Sequence, residues 1–259
     1  MPEFCQVARD GRILTVTIAR PERMNALHPP ANAELAEVFD AFSADPELWV
    51  AIITGAGDRA FSAGNDLRYQ AEHGGGAIKG PETGFAGLTS RFDNWKPVIA
   101  AVNGVAMGGG FEIALACDLI IASDNAVFAL PEPRVGLAAL AGGMHRLPRQ
   151  IGLKNAMGML LTGRRVSAAE GQRLGFVNEV VPQSELMAAA RRWAEQICEC
   201  APLSVRGSKQ AAMLGLEAGG VEAAMAGRYD QLHAMLRSQD FVEGPRAFAE
   251  KRPPRWQGK

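Results

Sequence analysis

The sequence has few cysteines, almost no net charge and no long hydrophobic run, and each absence excludes a class of protein. Only 4 cysteines occur in 259 residues, at irregular spacing, and they supply neither a disulfide framework nor a zinc quartet. Lysine and arginine number 27 against 28 aspartates and glutamates, so the net charge of −1 gives no reason to expect nucleic acid or an anionic membrane as partner. The 4 histidines are scattered, and we predict no metal site.

Targeting and membrane patterns are equally scarce. No stretch reaches the roughly 18 consecutive apolar residues of a membrane span. The first residues lack the basic-then-apolar pattern of a signal peptide. We therefore expect a cytoplasmic protein without a membrane partner.

Hydrophobic patterning predicts an α/β core followed by a helical region. Apolar runs predict strands at 13–18, 49–54, 98–102 and 119–122, with helices at 31–44 and 110–117. This alternation favours right-handed crossovers and a parallel sheet covered by helices. After residue 183 only helices are expected, at 184–200, 203–216, 221–237 and 241–251. We place the core at 1–195 and the helical region at 196–259.

Two glycine-containing segments resemble known motifs but lack the required context. GAGDRA at 55–60 fits a dinucleotide-binding fingerprint, yet the FSAGND that follows is not the start of an apolar-periodic helix. HGGG at 73–76 resembles a lipase oxyanion loop, but the chain has no G-x-S-x-G nucleophile elbow. It lies in a glycine-rich stretch, 68–94, where the pattern is lost and a long loop is expected.

The most informative segment is VNGVAMGGGFEIALACD at 102–118. Three glycines inside a helix would each cost about 1 kcal/mol relative to alanine, so they should lie where strand 98–102 turns into the next helix. Glycine allows close approach of a ligand to the backbone, and a helix start offers unpaired N–H groups. The triplet therefore indicates either an oxyanion site or tight strand–helix packing.

Two glutamates are candidate acid–base groups. Glu112 lies among apolar residues of the predicted helix, where a carboxylate is costly unless it is paired or used, and where burial raises its pKa. Glu132 lies between Pro131 and Pro133, which restrict the backbone on both sides. The alternatives are an ion pair of Glu112 with a distant arginine and an exposed turn at Glu132. Together the two carboxyls form a possible acid–base pair.

A second glycine-containing loop, AFSAGNDL at 60–67, also follows a predicted strand. Backbone N–H groups near Gly64 and Asn65 are candidates for a second oxyanion donor, since such sites commonly use donors from two segments. Alternatively, Asn65 or Asp66 caps a helix that starts here.

These blocks make the sequence resemble the crotonase superfamily, the enoyl-CoA hydratase/isomerase family. The resemblance extends from about residue 14 to residue 182, through ARPERMNALH, AFSAGNDL, KPVIAAVNGVAMGGGFEIALACDLIIAS, FALPEPRVGL and LTGRRVSAAEGQRLGFVNEVVP. It implies an α/β spiral of ββα units with a C-terminal helical region that builds trimers, often paired into hexamers. It also implies an acyl-CoA thioester as substrate, as in the β-oxidation of fatty acids. Coenzyme A would be part of that substrate, with no separate cofactor.

The resemblance also assigns roles by position. The N–H groups of Asn65 and Gly109 would form the oxyanion hole, and Glu112 and Glu132 would match the two catalytic glutamates of the hydratases. The family's isomerases, decarboxylases, dehalogenases and hydrolases generally lack this pair. The adenine end of coenzyme A would contact the chain near Met24 and the backbone of Ala63, Gly64, Asn65, Asp66 and Leu67. The expected activity is that of an enoyl-CoA hydratase, a carbon–oxygen lyase.

One segment departs from the hydratase pattern. Where hydratases typically have Pro-Gly or Pro-Asp before a later Gly-Gly, this chain has Ala139 and Leu140 ahead of Gly142 and Gly143. By alignment Leu140 lies beside the acyl pocket and would reshape it. Carnitinyl-CoA-type dehydration, double-bond isomerisation and a non-catalytic acyl-CoA-binding protein are therefore the alternatives.

Overall fold

The computed structural model describes residues 2–73 and 80–259, which form two β-sheets with helices around them. The strands are β1 Cys5–Asp10, β2 Ile13–Ile18, β3 Val50–Gly55, β4 Ala60–Ser62, β5 Val98–Val102, β6 Val105–Met107, β7 Leu119–Ser123, β8 Val127–Ala129, β9 Val166–Ser167 and β10 Glu179–Val181. The helices are α1 Pro29–Ala44, α2 Leu67–His73, α3 Gly109–Ala116, α4 Gly143–Ile151, α5 Leu153–Thr162, α6 Ala168–Leu174, α7 Leu186–Cys198, α8 Pro202–Gly215, α9 Val221–Met225, α10 Asp230–Leu236 and α11 Gln239–Ala249.

The larger sheet has the strand order β1-β2-β3-β5-β7-β10 and is parallel except for the β1–β2 hairpin. Its central strands β3 and β5 are buried along their whole length, as expected when helices cover both faces of a parallel sheet. Alternate residues of each strand enter two different cores. The predicted parallel sheet and its four main strands are confirmed.

The smaller sheet, with the order β4-β6-β8-β9, was not predicted. Its strands have only two or three residues, which is too short for an alternation of apolar and polar residues to be recognised. Three of them follow directly on strands of the larger sheet: β4 comes after β3, β6 after β5, and β8 after β7. The chain therefore turns from one sheet into the other near residues 55–60 and 102–105, close to the two glycine-containing segments.

Helix α7 covers one face of the larger sheet, where Leu186, Ala190 and Ala194 pack against Ile52 and Ile99. The boundary predicted at residue 195 falls within this helix, and the division into two regions stays a prediction. Beyond it the chain is helical as expected, except that the helix predicted over 221–237 is divided by residues 226–229 into α9 and α10.

A long loop was predicted over the glycine-rich stretch 68–94, but its first residues belong to helix α2, which extends to His73. The run Gly74–Gly76 lies outside the described residues. Within the described ranges, no helix is long and apolar enough to cross a membrane.

Asn25 connects the segment before α1 to the turn between β3 and β4. Its Nδ2 donates to the carbonyl oxygens of Ala56 and Ala60 at 3.0 and 2.7 Å, and its Oδ1 accepts from the Arg20 N–H at 3.0 Å. Asn25 is fully buried with a φ of 54°, in the left-handed region that asparagine tolerates better than most residues. It thereby fixes the chain that leads into residues 62–65.

We expect Asn25→Ala to lower the free energy of unfolding by about 3–5 kcal/mol, because three buried backbone groups lose their partner and alanine is strained at this φ. Denaturant titration measures the change. Asn155→Ala on the surface of α5, which loses one hydrogen bond to Ile151, should cost less than about 1 kcal/mol. Equal losses in the two variants would contradict this role for Asn25.

Candidate active site

The three glycines at 108–110 lie at the start of α3. Gly108 precedes the helix with a φ of 52°, while Gly109 and Gly110 form its first turn. A Cβ atom on Gly110 would overlap the Ser62 carbonyl oxygen, so β4 packs directly against the helix start. The tight-packing interpretation of the triplet is therefore correct for Gly110, while Gly109 retains a free N–H.

Two unpaired backbone donors lie on adjoining segments. A Cβ atom on Gly64, whose φ is 86°, would lie 2.9 Å from the Gly109 nitrogen. Leu27 forms a parallel bridge with Asn65, in which its N–H donates to the Gly64 oxygen at 2.8 Å and its oxygen accepts from the Asp66 N–H at 3.0 Å. This pairing leaves the Asn65 N–H unused. Within residues 2–73 and 80–259, neither the Asn65 nor the Gly109 N–H has an acceptor, so both are available to a ligand.

Glu112 lies in the apolar interior of α3, with 3% of its surface exposed. Its Oε1 accepts the N–H of Gly143, the first residue of α4, at 2.8 Å. Burial and, to a smaller extent, the charge of Glu132 raise the pKa of Glu112 to about 7, against the lowering effect of the Gly143 and Ala141 N–H groups and of the Arg146 guanidinium. Among the described residues no cation lies within 4 Å of this carboxylate, so the ion-pair alternative is wrong.

Glu132 begins a short 3-10 helix, Glu132–Val135, and points towards the start of α3. A Cβ atom on Gly108 would lie 3.0 Å from its Oε1. Its Oε2 is buried and has no hydrogen-bond partner in the part of the chain that is described. Burial raises the pKa of Glu132. The exposed-turn alternative is therefore wrong, because this carboxyl is aimed into the interior beside Glu112.

The loop before α4 fits closely around Glu112. A Cβ atom on Gly143 would lie 3.1 Å from the Glu112 Cγ and 3.0 Å from the Ala139 Cβ. Ala139 is buried, but the Leu140 side chain is 79% exposed. Leu140 thus lies on the loop that holds Glu112, and its contact with an acyl group stays a prediction. No role was predicted for Gly143. The only sequence feature that marked this loop was the departure from the hydratase pattern at Ala139 and Leu140, just before it.

The other residues predicted to bind coenzyme A cluster along the bridge between Leu27 and Asn65. The Met24 oxygen, at a left-handed residue, accepts the Ala63 N–H at 2.9 Å. The Asp66 carboxylate caps α2 by accepting the Tyr69 N–H at 3.1 Å, as the capping alternative predicted. Asp66 also pairs with Arg20 at 3.0 Å, while its N–H donates to the Leu27 oxygen and its own oxygen accepts the Gln70 N–H, so both its side chain and its backbone are engaged.

Leu67, at the start of α2, is 47% exposed. The coenzyme A contacts of this segment stay predictions. Across the described ranges, no three His, Cys, Asp or Glu side chains are grouped as metal ligands. GAGDRA leads into β4 instead of a helix, which removes the context of a dinucleotide site.

Comparisons with known proteins show the family and the fold. The family model described as enoyl-CoA hydratase/isomerase matches residues 8–259. Carnitinyl-CoA dehydratases from Citrobacter koseri and Escherichia coli are each 47% identical over 263 residues, covering 100% of both chains. The crystal structure of an enoyl-CoA hydratase from Mycobacterium tuberculosis has a TM-score of 0.90 at 37% identity, and one from Mycobacterium marinum has 0.91 at 39%, each covering 99% of both chains.

The raised pKa of Glu112 predicts a pH-dependent stability difference for Glu112→Gln. An unfolded glutamate titrates near 4.5 and the folded Glu112 near 7, so the folded protein binds the extra proton between these values. Ionising Glu112 therefore destabilises the native protein as the pH rises from 4.5 through 7. Because glutamine cannot ionise, Glu112→Gln should gain up to about 3 kcal/mol relative to the native protein by pH 8.

Denaturant unfolding of both proteins at several pH values from 5 to 8 measures this gain. Glu37→Gln on the exposed surface of α1 is the matched control and should show no such trend. A constant difference between Glu112→Gln and the native protein across this range would show that Glu112 titrates normally.

Proposed function

The chain belongs to the enoyl-CoA hydratase/isomerase family, and we propose that it catalyses the reversible addition of water to the α,β double bond of an enoyl-CoA thioester. The observation that carries this proposal is the buried carboxyl of Glu112 together with the half-buried Glu132, whose Oε2 is buried, beside two unused backbone donors. Addition of water needs an acid, a base and a site for negative charge. The arrangement supplies all three.

The negative charge develops on the thioester oxygen when a nucleophile attacks Cβ. In our proposal the N–H groups of Asn65 and Gly109 donate to this oxygen. Each such donor typically contributes about 3 kcal/mol to stabilising the transition state. Because both donors are backbone groups on packed segments, their positions need little reorganisation during the reaction.

The two glutamates move the protons. Two neighbouring carboxyls do not both ionise easily, so one is protonated while the other is charged. We assign Glu112 to hold and deprotonate the water whose oxygen bonds to Cβ, and Glu132 to deliver a proton to Cα. In the reverse direction Glu132 removes the Cα proton, and Glu112 protonates the departing hydroxyl. The pKa of Glu112 near 7 suits a group that accepts and returns a proton at neutral pH.

The proposed reaction also identifies the ligand. Coenzyme A enters as part of the substrate, along the chain near Met24 and residues 63–67, and no further cofactor takes part in the proposed steps.

We also propose that the C-terminal helices assemble the chain into a trimer or a dimer of trimers. The exposed apolar side chains Leu216, Val221 and Met225 support this, because they lie on α9 and the segment that leads into it.

A second candidate is dehydration of a carnitinyl thioester. It is favoured by the full-length identity of 47% to carnitinyl-CoA dehydratases, which exceeds the identity to the two hydratase structures compared above. Carnitine carries its hydroxyl on C3, so this reaction is the proposed one run in reverse on a substrate with a quaternary ammonium on C4. The catalytic assignments are unchanged, and only the acyl pocket distinguishes the two candidates.

Replacing either glutamate should abolish most of the hydration of crotonyl-CoA. We expect Glu112→Gln and Glu132→Gln each to lower turnover by about 10²–10⁴-fold, the usual contribution of acid–base catalysis. Loss of the enoyl-thioester absorbance measures the rate, with Glu37→Gln as control. Turnover within about threefold of the native protein in both glutamine variants would contradict the assigned roles.

The substrate comparison separates the two candidates. Crotonyl-CoA and its 4-trimethylammonio derivative are hydrated under identical conditions, and kcat/KM is measured for each. A carnitinyl-type enzyme should prefer the charged substrate by at least about tenfold, equivalent to 1.4 kcal/mol. Preference for crotonyl-CoA would reject the second candidate, and turnover of neither substrate would reject the proposed reaction for short acyl groups.

A further inference from the structure

We propose that Arg146 is a positioning residue for Glu112. The Arg146 side chain fixes the loop at the start of α4 and places a positive charge near the Glu112 carboxylate. This inference deepens the proposed function and rests on it where catalysis is concerned. It follows from the contacts of one half-buried guanidinium that the reaction itself does not use.

Arg146 connects two separate segments of backbone. Its Nη2 donates to the Thr89 carbonyl oxygen at 2.9 Å, and its Nη1 lies 3.4 Å from the Ala141 oxygen. Ala141 immediately precedes the Gly142–Gly143 pair, whose second N–H holds Glu112. The guanidinium therefore secures the loop on the side opposite to the carboxylate that the loop binds.

Both glycines of this loop are explained by these contacts. Gly142 has a φ of 102°, and a Cβ atom there would overlap the Arg146 Nη1. A Cβ atom on Gly143 would lie 3.1 Å from the Glu112 Cγ. The two consecutive glycines thus let the guanidinium and the carboxylate approach the same short loop from opposite directions.

The anchor at Thr89 is itself rigid and reaches the oxyanion donors. Thr89 is buried, and its Oγ1 accepts the Phe85 N–H at 2.8 Å. A Cβ atom on Gly109 would lie 2.7 Å from the Phe85 ring, so this ring covers the start of α3. Arg146 therefore joins the segment that packs on Gly109 to the loop that holds Glu112.

The charge of Arg146 is not neutralised by a neighbouring carboxylate. Among the described residues it forms no ion pair within 4 Å, and its other neighbour is the Phe92 ring, whose centre is 5.7 Å from Cζ. Burial lowers the pKa of Arg146, whereas Cys117 and Glu112 raise it. The ionisable groups that act on Glu112 are Arg146 from α4 and Glu132 from the 3-10 helix. Arg146 thus supplies the positive charge that favours ionised Glu112.

Two substitutions separate the charge from the tether. Arg146→Met removes both, so kcat for hydration should fall about 10–100-fold, and the pH at which kcat rises should move up by about 0.5–1 unit. Arg146→Lys keeps the charge but cannot reach both carbonyl oxygens. It should restore the position of the pH profile while recovering only part of kcat, with KM within about threefold of the native value in both variants.

Arg206→Met is the matched control. Arg206 lies on α8, and burial lowers its pKa as it does that of Arg146. Its replacement should leave the pH profile unchanged. A pH profile in Arg146→Met that coincides with that of the native enzyme would overturn the proposal, as would an equal shift in Arg146→Lys.

A titration that needs no activity tests the same link. The stability gain of Glu112→Gln is measured from pH 5 to 9 in the native background and in Arg146→Met. In the Arg146→Met background the gain should continue to grow to a pH about 0.5–1 unit higher, because Glu112 then ionises later. Identical curves would overturn the proposal. A shifted curve in a protein without hydratase activity would instead retain the Arg146–Glu112 link and reject the proposed function.

Discussion

The cost of placing two carboxyl groups in an apolar interior governs the arrangement of this site. Glu112 is almost fully buried, and one oxygen of Glu132 has no partner among the described residues. Without compensation such groups are neutral at the pH of most cells and cannot act as bases. The start of α4 and the guanidinium behind it provide partial compensation for Glu112. The result is a carboxyl close to the midpoint of its titration, which is the condition that reversible proton transfer requires.

Close packing of backbone on backbone is the second condition for the site. Gly64 and Gly110 lie against another functional segment at distances that a Cβ atom would not allow, and a Cβ atom on Gly108 or Gly143 would have contacts as short as 3.0 Å. They bring the end of β4, the start of α3 and the start of α4 together within a small volume. Two sheets provide the frame, because the chain passes from the larger to the smaller at residues 55–60 and 102–105, shortly before Gly64 and Gly108.

Four strands of the large sheet, β2, β3, β5 and β7, could be predicted, because β3, β5 and β7 are continuous apolar runs and β2 alternates β-branched with polar residues. The mostly exposed β1 and the three-residue β10 were not predicted. The strands of the small sheet could not be predicted, since two or three residues have no recognisable period and are defined by their partners. Glu112 was identifiable as a charged residue in an apolar helix. In contrast, the role of Gly143 depends on a contact 31 residues away in sequence, and that of Arg146 on a contact with Thr89. Asn25 likewise shows no local pattern, because two of its three partners, Ala56 and Ala60, are 31 and 35 residues away in sequence.

The division of labour between backbone and side chains has a consequence for how such a protein can change. In the proposed mechanism the oxyanion donors are main-chain amides, which ordinary substitutions do not remove, whereas the proton-transferring groups are two side chains that single mutations can replace. Single substitutions would therefore leave anion stabilisation by the backbone in place, while they can remove acid–base catalysis. A variant that loses one carboxyl would keep the two N–H donors that polarise a thioester, and a different reaction could then evolve at the same site.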